Sequence, residues 1–68
     1  MDILGIRLKE LREEKGLSQM ELSKRIDITQ PAIARYELSK TEPRASDIKK
    51  ICLFFGVTAD YLIGLENE

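Results

Sequence analysis

The residues best suited to specific chemistry lie in the stretch TQPAIARYE, at positions 29–37. Thr29 is a good helix N-cap, and Pro31 suits the first turn of a helix, where its missing N–H costs nothing. On that helix, Ile33, Tyr36 and Glu37 share one face, which we expect to turn inward. The opposite face carries Gln30, Pro31, Ala34 and Arg35. The amide and the guanidinium on this outer face can form hydrogen bonds to a partner, but ordinary surface residues have the same groups.

Residue types that carry catalysis are scarce in the rest of the sequence. There is no histidine and only one cysteine, Cys52, so neither a zinc site nor an internal disulfide is expected. Cys52 falls among Ile48, Ile51 and Phe55, which favours a small core residue over the alternative of a reactive thiol. The sequence also lacks a glycine-rich phosphate loop. We therefore expect no enzyme activity, no cofactor and no metal.

Length and composition favour one small globular domain over residues 1–68. The chain has 43% hydrophobic and 34% charged residues, within the range of folded proteins. No apolar run approaches the roughly 20 residues of a membrane span. The N-terminus lacks the features of a signal peptide, so a cytoplasmic location is expected. The net charge of −1 gives little long-range attraction to an anion, so any anion-binding surface must be local.

Capping signals and apolar spacing predict an all-α, compact five-helix bundle without strands. The first helix has an apolar stripe at Leu4, Leu8 and Leu11 and ends at Gly16. Ser18 and Glu21 form a capping box that starts a second helix over residues 19–26. Thr29 and Thr58 cap two further helices, and a fourth lies between them over about residues 46–56.

The second and third helices are joined by only about three residues, which holds them at a steep angle. Two short helices on a tight turn form the helix-turn-helix arrangement, here over about residues 18–37. By spacing alone, a simple bend in a helical bundle fits equally well. The segments LKELREEKGLSQMELSKRIDITQPAIARYELSKTEP and FFGVTADYLIG favour the first interpretation. Over about residues 4–64 the sequence closely resembles the Cro/CI-type phage repressors, also called the XRE family.

The resemblance implies sequence-specific binding of double-stranded DNA for transcriptional regulation, most simply repression, by a bacterial or phage-encoded protein at the nucleoid. The helix 29–38 would lie in the major groove. Gln30 matches a base-reading glutamine, whose amide pairs with adenine N6 and N7. Arg35 would reach guanine or a phosphate, while Pro31 and Ala34 would offer apolar contact. Without the resemblance, four ordinary surface residues are the simpler interpretation.

The resemblance also assigns residues to the DNA backbone and to an ion pair. The phosphate-binding candidates are Gln19, at the start of helix two, and Ser39, Lys40, Thr41 and Arg44, in the loop after helix three. A solvated polar loop is the alternative for the latter four. Arg12 and Glu37 match a partly buried ion pair that ties helix one to the end of helix three. Its expected role is structural.

The sequence departs from the family pattern at three places. Asp27 stands in the turn where glycine is usual, but aspartate tolerates left-handed backbone better than most residues. Leu38–Ser39 replaces an arginine or asparagine followed by glycine, which removes a phosphate ligand and puts the loop geometry in doubt. Pro31 occupies a position where some relatives have a polar base-reading residue. We therefore expect fewer polar contacts to the bases than in those relatives.

One such domain offers few DNA contacts, so we expect a homodimer on a palindromic operator with half-sites about 34 Å apart. The dimer-patch candidates are Leu53, Phe54, Ile63 and Leu65, some of which are alternatively core residues. Residues 65–68 would be a frayed tail or a linker stub, and the chain is either a complete regulator or a fragment. An alternative function is a protein-interaction module, such as an antitoxin, in which DNA binding is secondary.

Overall fold

The computed structural model describes residues 2–66, which form five α-helices. They are α1 (Asp2–Glu14), α2 (Gln19–Ile26), α3 (Gln30–Glu37), α4 (Ala45–Phe55) and α5 (Ala59–Leu62). Residues 2–66 include no strand, so the predicted all-α five-helix fold is confirmed. No helix in this part of the chain is both long and apolar enough to cross a membrane.

Three helices begin at the caps that the sequence predicts. The hydroxyl of Ser18 accepts the N–H of Glu21 at 3.0 Å, and the Glu21 carboxylate accepts the N–H of Ser18 at 2.8 Å. These bonds complete the capping box, and the bond that the Ser18 N–H donates to the carboxylate lowers the pKa of Glu21. Thr29 and Thr58 each accept the N–H three residues further on. The amino ends of α2 and α3 are thus fixed by local hydrogen bonds.

The core lies where the five helices meet. Its fully buried side chains are Leu4, Leu8, Leu22, Ile33, Ile51 and Leu62. Burying one leucine or isoleucine side chain contributes about 1.5–3 kcal/mol, so this cluster is the main source of favourable folding free energy in so short a chain. Cys52 is half-buried at its edge, and burial raises the pKa of its thiol. The sequence favours a small core residue here, and the structure places this cysteine against the core rather than fully inside it.

The core also includes a buried carboxylate that the sequence did not predict. Asp47, only 7% exposed, accepts a hydrogen bond from Tyr36 Oη at 2.6 Å. Burial raises the pKa of Tyr36 most, and the hydrogen bond to Asp47 raises it further. Lys50 Nζ lies 4.0 Å from Asp47 Oδ1 and donates to the backbone oxygen of Asp27 at 3.0 Å. α4 therefore holds both the end of α3 and the turn that precedes it.

The beginning of the predicted tail lies against α1. The Arg7 guanidinium packs 4.2 Å from the centre of the Tyr61 ring. Its Nη1 donates to the backbone oxygen of Glu66 at 3.2 Å. Residues 65 and 66 are therefore held in place, whereas Asn67 and Glu68 lie outside the described residues.

The turn between α2 and α3 requires left-handed backbone. Asp27 has φ 57° and ψ 45°, and its N–H donates to the carbonyl of Ser23 at 3.1 Å, which ends α2. Aspartate thus takes the conformation for which glycine is usual. The side chain of Asp27 is fully exposed and lies 3.9 Å from Lys50 Nζ, so that ion pair adds little.

The variant Asp27→Gly is expected to raise the free energy of unfolding by about 0.5–1 kcal/mol, because glycine adopts left-handed backbone without a steric penalty. Urea denaturation followed by circular dichroism measures the change. Asp27→Ala is the matched control, since it removes the same carboxylate but keeps the Cβ, and it is expected to be destabilised. A less stable glycine variant would show that the carboxylate matters more than the backbone conformation.

Candidate nucleic-acid interface

The outward side of α3 carries the four residues predicted to contact bases. Pro31 and Arg35 are exposed, while Gln30 and Ala34 are half-buried. Ile33, fully buried, anchors the opposite side of the helix in the core. An eight-residue helix is thus divided into a face that packs and a face that is available to a partner.

The first residues of α2 and α3 contact each other through their side chains. Gln30 Nε2 donates to Gln19 Oε1 at 2.9 Å, and Gln19 Nε2 donates to Glu37 Oε1 at 3.0 Å. The sequence predicted these glutamines as separate contacts to a base and to a phosphate. The contact between them could not be predicted from the sequence, because it depends on the angle between the two helices. The one signal available was that each glutamine directly follows an N-cap.

The predicted ion pair between α1 and α3 is present and bidentate. Arg12 Nε donates to Glu37 Oε2 at 2.6 Å, and Arg12 Nη2 donates to Glu37 Oε1 at 3.0 Å. Arg12 Nη1 also donates to the carbonyl of Leu17 at 2.8 Å. The two charged side chains are 11% and 3% exposed. The hydrogen bond that Arg12 donates to Glu37 raises the pKa of Arg12, against the opposing effect of burial.

The loop after α3 places the other predicted phosphate-binding residues beside the carboxyl end of that helix. Lys40, Thr41 and Arg44 have exposed side chains, and Ser39 is half-buried. Ser39 has left-handed backbone, with φ 59°, at the position where glycine is common in the family. The loop thus keeps a left-handed turn without the usual glycine.

The local charge around α3 differs from the charge of the whole chain. Arg35, Lys40 and Arg44 all have exposed side chains. Glu37 is turned inward and neutralised by Arg12, so Glu42 is the remaining acidic residue between positions 35 and 44. A chain of net charge −1 therefore has a local excess of basic groups beside the outward side of α3.

α1 reaches the end of α3 at a glycine that sequence analysis did not single out. Gly5 is buried, and a Cβ at this position would lie 2.6 Å from the carbonyl oxygen of Tyr36 and 2.8 Å from that of Glu37. Only a residue without a side chain permits this approach. The one available signal was a glycine inside an otherwise apolar helical pattern.

The four dimer-patch candidates separate into two groups. Leu53 and Leu65 are each 73% exposed. Phe54 and Ile63 are half-buried and pack against the core, with the Phe54 ring edge-on to Phe55 at 5.0 Å between centroids. An open groove runs beside Leu53 between α4 and α5; it is lined by Ala45, Ile48, Lys49, Cys52, Leu53 and Ala59.

Comparison with known proteins assigns the family. A family model described as "Helix-turn-helix" matches residues 8–62. The chain belongs to the helix-turn-helix family. This helix-turn-helix domain is 34% identical over 61 residues to the SPbeta prophage-derived uncharacterized HTH-type transcriptional regulator YonR of Bacillus subtilis, covering 90% of this chain and 56% of YonR. It is 33% identical over 64 residues to the HTH-type transcriptional regulator ImmR of Bacillus subtilis, covering 94% of this chain and 50% of ImmR.

The helix-turn-helix domain also matches a solved structure. It is similar to the crystal structure of the P22 c2 repressor protein in complex with synthetic operator 9T in the presence of Tl+, with a TM-score of 0.83 and 26% identity. That match covers 91% of this chain and 94% of the repressor chain. The predicted resemblance to phage repressors is confirmed. The chain spans about half the length of the curated relatives YonR and ImmR.

Proposed function

We propose that this domain binds double-stranded DNA with sequence preference and regulates transcription, most simply as a repressor in the bacterial cytoplasm. The observation that carries the proposal is the outward side of α3. It presents Gln30 and Arg35 in a fold that matches an operator-bound repressor over 91% of the chain. α3 would lie in the major groove, which admits one α-helix.

The side chains of the site divide by the chemistry that each offers to DNA. Gln30 reads adenine through one donor and one acceptor, and Arg35 contacts guanine or a phosphate. Pro31 and Ala34 provide apolar contact, for example with a thymine methyl group. Gln19 and the loop residues Ser39, Lys40, Thr41 and Arg44 hold the phosphate backbone, which positions α3 without reading sequence.

Two copies would bind one operator, because a single α3 reads only a few base pairs. Half-sites about 34 Å apart would place both copies on the same side of the DNA. The exposed Leu53 and Leu65 are the residues of the candidate patch that remain available for self-association. Sedimentation of the wild type and of Leu53→Ser, with and without operator, tests this arrangement.

The apolar groove beside Leu53 favours a second function, a protein-interaction module that uses α4 and α5. Five of its six lining residues are apolar or cysteine. Binding there leaves α3 free, so both functions are compatible with one domain. The absence of DNA binding at low salt would leave this interaction as the main function.

Selection of bound sites from a random DNA library tests the proposed function. A palindromic motif with half-sites one helical turn apart is the expected result for the wild type. Affinity for that motif should fall steeply with salt, because each phosphate neutralised by the protein contributes a slope of about 0.9. Recovery of no motif, or affinity that is independent of salt, would contradict the proposal.

Two substitutions separate the reading of bases from the holding of the backbone. Gln30→Ala is expected to relax preference at one A·T pair per half-site, at a cost of about 1–3 kcal/mol for the preferred operator. Lys40→Ala is the matched control, since it is expected to weaken binding to all sequences about equally. Affinities measured on operators substituted one base pair at a time distinguish the two effects. A motif unchanged by Gln30→Ala would show that α3 is in a different register.

A further inference from the structure

A continuous chain of hydrogen bonds runs from the buried ion pair to the outward side of α3. Glu37 accepts from Arg12 and from Gln19 Nε2, and Gln19 Oε1 accepts from Gln30 Nε2. An ionised carboxylate accepts hydrogen bonds but cannot donate them. Gln19 must therefore turn its NH₂ group toward Glu37 and its oxygen toward Gln30. Only the NH₂ group of Gln30 can donate to that oxygen, so both amides have a defined orientation.

The direction of these hydrogen bonds determines which donors and acceptors the two amides keep for a partner. Gln19 keeps one N–H, a donor of the kind that a phosphate oxygen accepts. Gln30 keeps its Oε1 and one N–H. An acceptor beside a donor matches adenine, which presents N7 and the N6 amino group in the major groove.

If these hydrogen bonds ran in the opposite direction, they would leave a different pattern of donors and acceptors at the surface. If Gln19 turned its NH₂ group toward Gln30, the oxygen of Gln30 would accept that bond and both of its N–H groups would face outward. Two donors match guanine, which presents the acceptors N7 and O6. The same glutamine therefore favours adenine or guanine according to the group that lies at the buried end of the chain.

We propose that Glu37, acting through Gln19, sets the carboxamide of Gln30 to read adenine rather than guanine. Glu37 and Gln19 are positioning residues in this role, and the side chain of Glu37 is only 3% exposed, beyond the reach of DNA. The inference rests on the proposed function, because it requires Gln30 to face a base. The ion pair at the end of α3 thus has a role in base selection as well as in stability.

The variant Gln19→Leu removes the link between Glu37 and Gln30. The measurement is the ratio of affinities for two operators that differ, A·T against G·C, at the pair whose preference Gln30→Ala relaxes. The wild type is expected to favour A·T by about fivefold or more, and Gln19→Leu to bring the ratio within about twofold of one. A lost phosphate contact weakens both complexes equally and cancels in the ratio. Lys40→Ala is the control, with both affinities lowered and the ratio kept.

The double variant Arg12→Met with Glu37→Leu tests the role of the buried carboxylate. It removes both charges together with the acceptor that orients Gln19, because Glu37 Oε1 accepts from both Arg12 Nη2 and Gln19 Nε2. The expected result is a ratio within about twofold of one. If this variant does not fold, Gln19→Leu still decides, because it leaves the ion pair intact. An unchanged ratio in a folded variant of either kind overturns the proposal.

Side-chain amide NMR of the free protein separates this inference from the proposed function. Without DNA, the carboxamide of Gln30 is expected to be ordered in the wild type and to become mobile in Gln19→Leu. A mobile Gln30 carboxamide in the wild type would show that the chain does not form, and the inference would be wrong even where DNA binding stands. An ordered chain in a protein that prefers no DNA sequence would instead refute the proposed function, and with it the reading of adenine.

Discussion

Replacing Glu37 by alanine is expected to lower the free energy of unfolding by about 3–5 kcal/mol, because it leaves a buried positive charge without its partner. The guanidinium of Arg12 is only 11% exposed and would retain the Leu17 carbonyl as an acceptor. A domain of this length has a total stability of about 3–10 kcal/mol, so most of it would be lost. Thermal and urea unfolding followed by circular dichroism measure the effect.

Two controls show whether the loss comes from the unpaired charge. Glu14→Ala removes an exposed carboxylate at the end of α1 and is expected to change stability by no more than about 0.5 kcal/mol. The double variant Arg12→Met with Glu37→Leu removes both charges and is expected to recover much of the loss, as replacing both partners of a buried pair often does. An unchanged melting temperature in Glu37→Ala would rule out the ion pair as a stabilising contact in solution.

The helix boundaries were predictable because capping is a local interaction. Ser18 and Glu21 bond each other three residues apart, and Thr29 needs only the N–H three residues further on. A short window of sequence contains all that such a bond requires. For this reason the predicted helix over residues 19–26 has the same bounds as α2, and the predicted helix 29–38 differs from α3 by one residue at each end.

Contacts that depend on how helices cross could not be predicted in the same way. Asp47 lies in the first turn of α4, where an acidic residue is explained by the helix dipole alone. Its burial against Tyr36 becomes apparent only once α3 and α4 are packed together. The bond between Gln19 and Gln30 depends on the steep angle at the helix-turn-helix in the same way.

The ion pair was predicted from the family resemblance rather than from spacing. Arg12 and Glu37 are 25 residues apart, and no local rule links them. The dimer patch could not be defined from the sequence, because its four apolar candidates near the C-terminus look alike there. Only packing distinguishes Leu53, which is exposed, from Ile63, which lies against the core.

Three contacts between distant segments hold α3 where its outward side can meet DNA. The Arg12–Glu37 ion pair ties its end to α1, and the Tyr36–Asp47 hydrogen bond ties it to α4. Gly5 determines how closely α1 approaches the same end. Changes at these positions are therefore expected to affect both stability and DNA affinity, although none of the three contacts lies on the outward side of α3.

Introducing a side chain at Gly5 is expected to be the second most damaging change. A Cβ would lie 2.6 Å from the carbonyl oxygen of Tyr36, and a backbone oxygen cannot move aside without shifting α3. Gly5→Ala is expected to lose about 1–2 kcal/mol, because overpacking outweighs the gain of about 1 kcal/mol in helix propensity, and Gly5→Leu more than about 3 kcal/mol. Ile6→Ala, at an exposed position of α1, is the control for urea unfolding and operator affinity. A Gly5→Ala variant stabilised by its helix propensity would mean that α1 and α3 lie further apart than the structure has them.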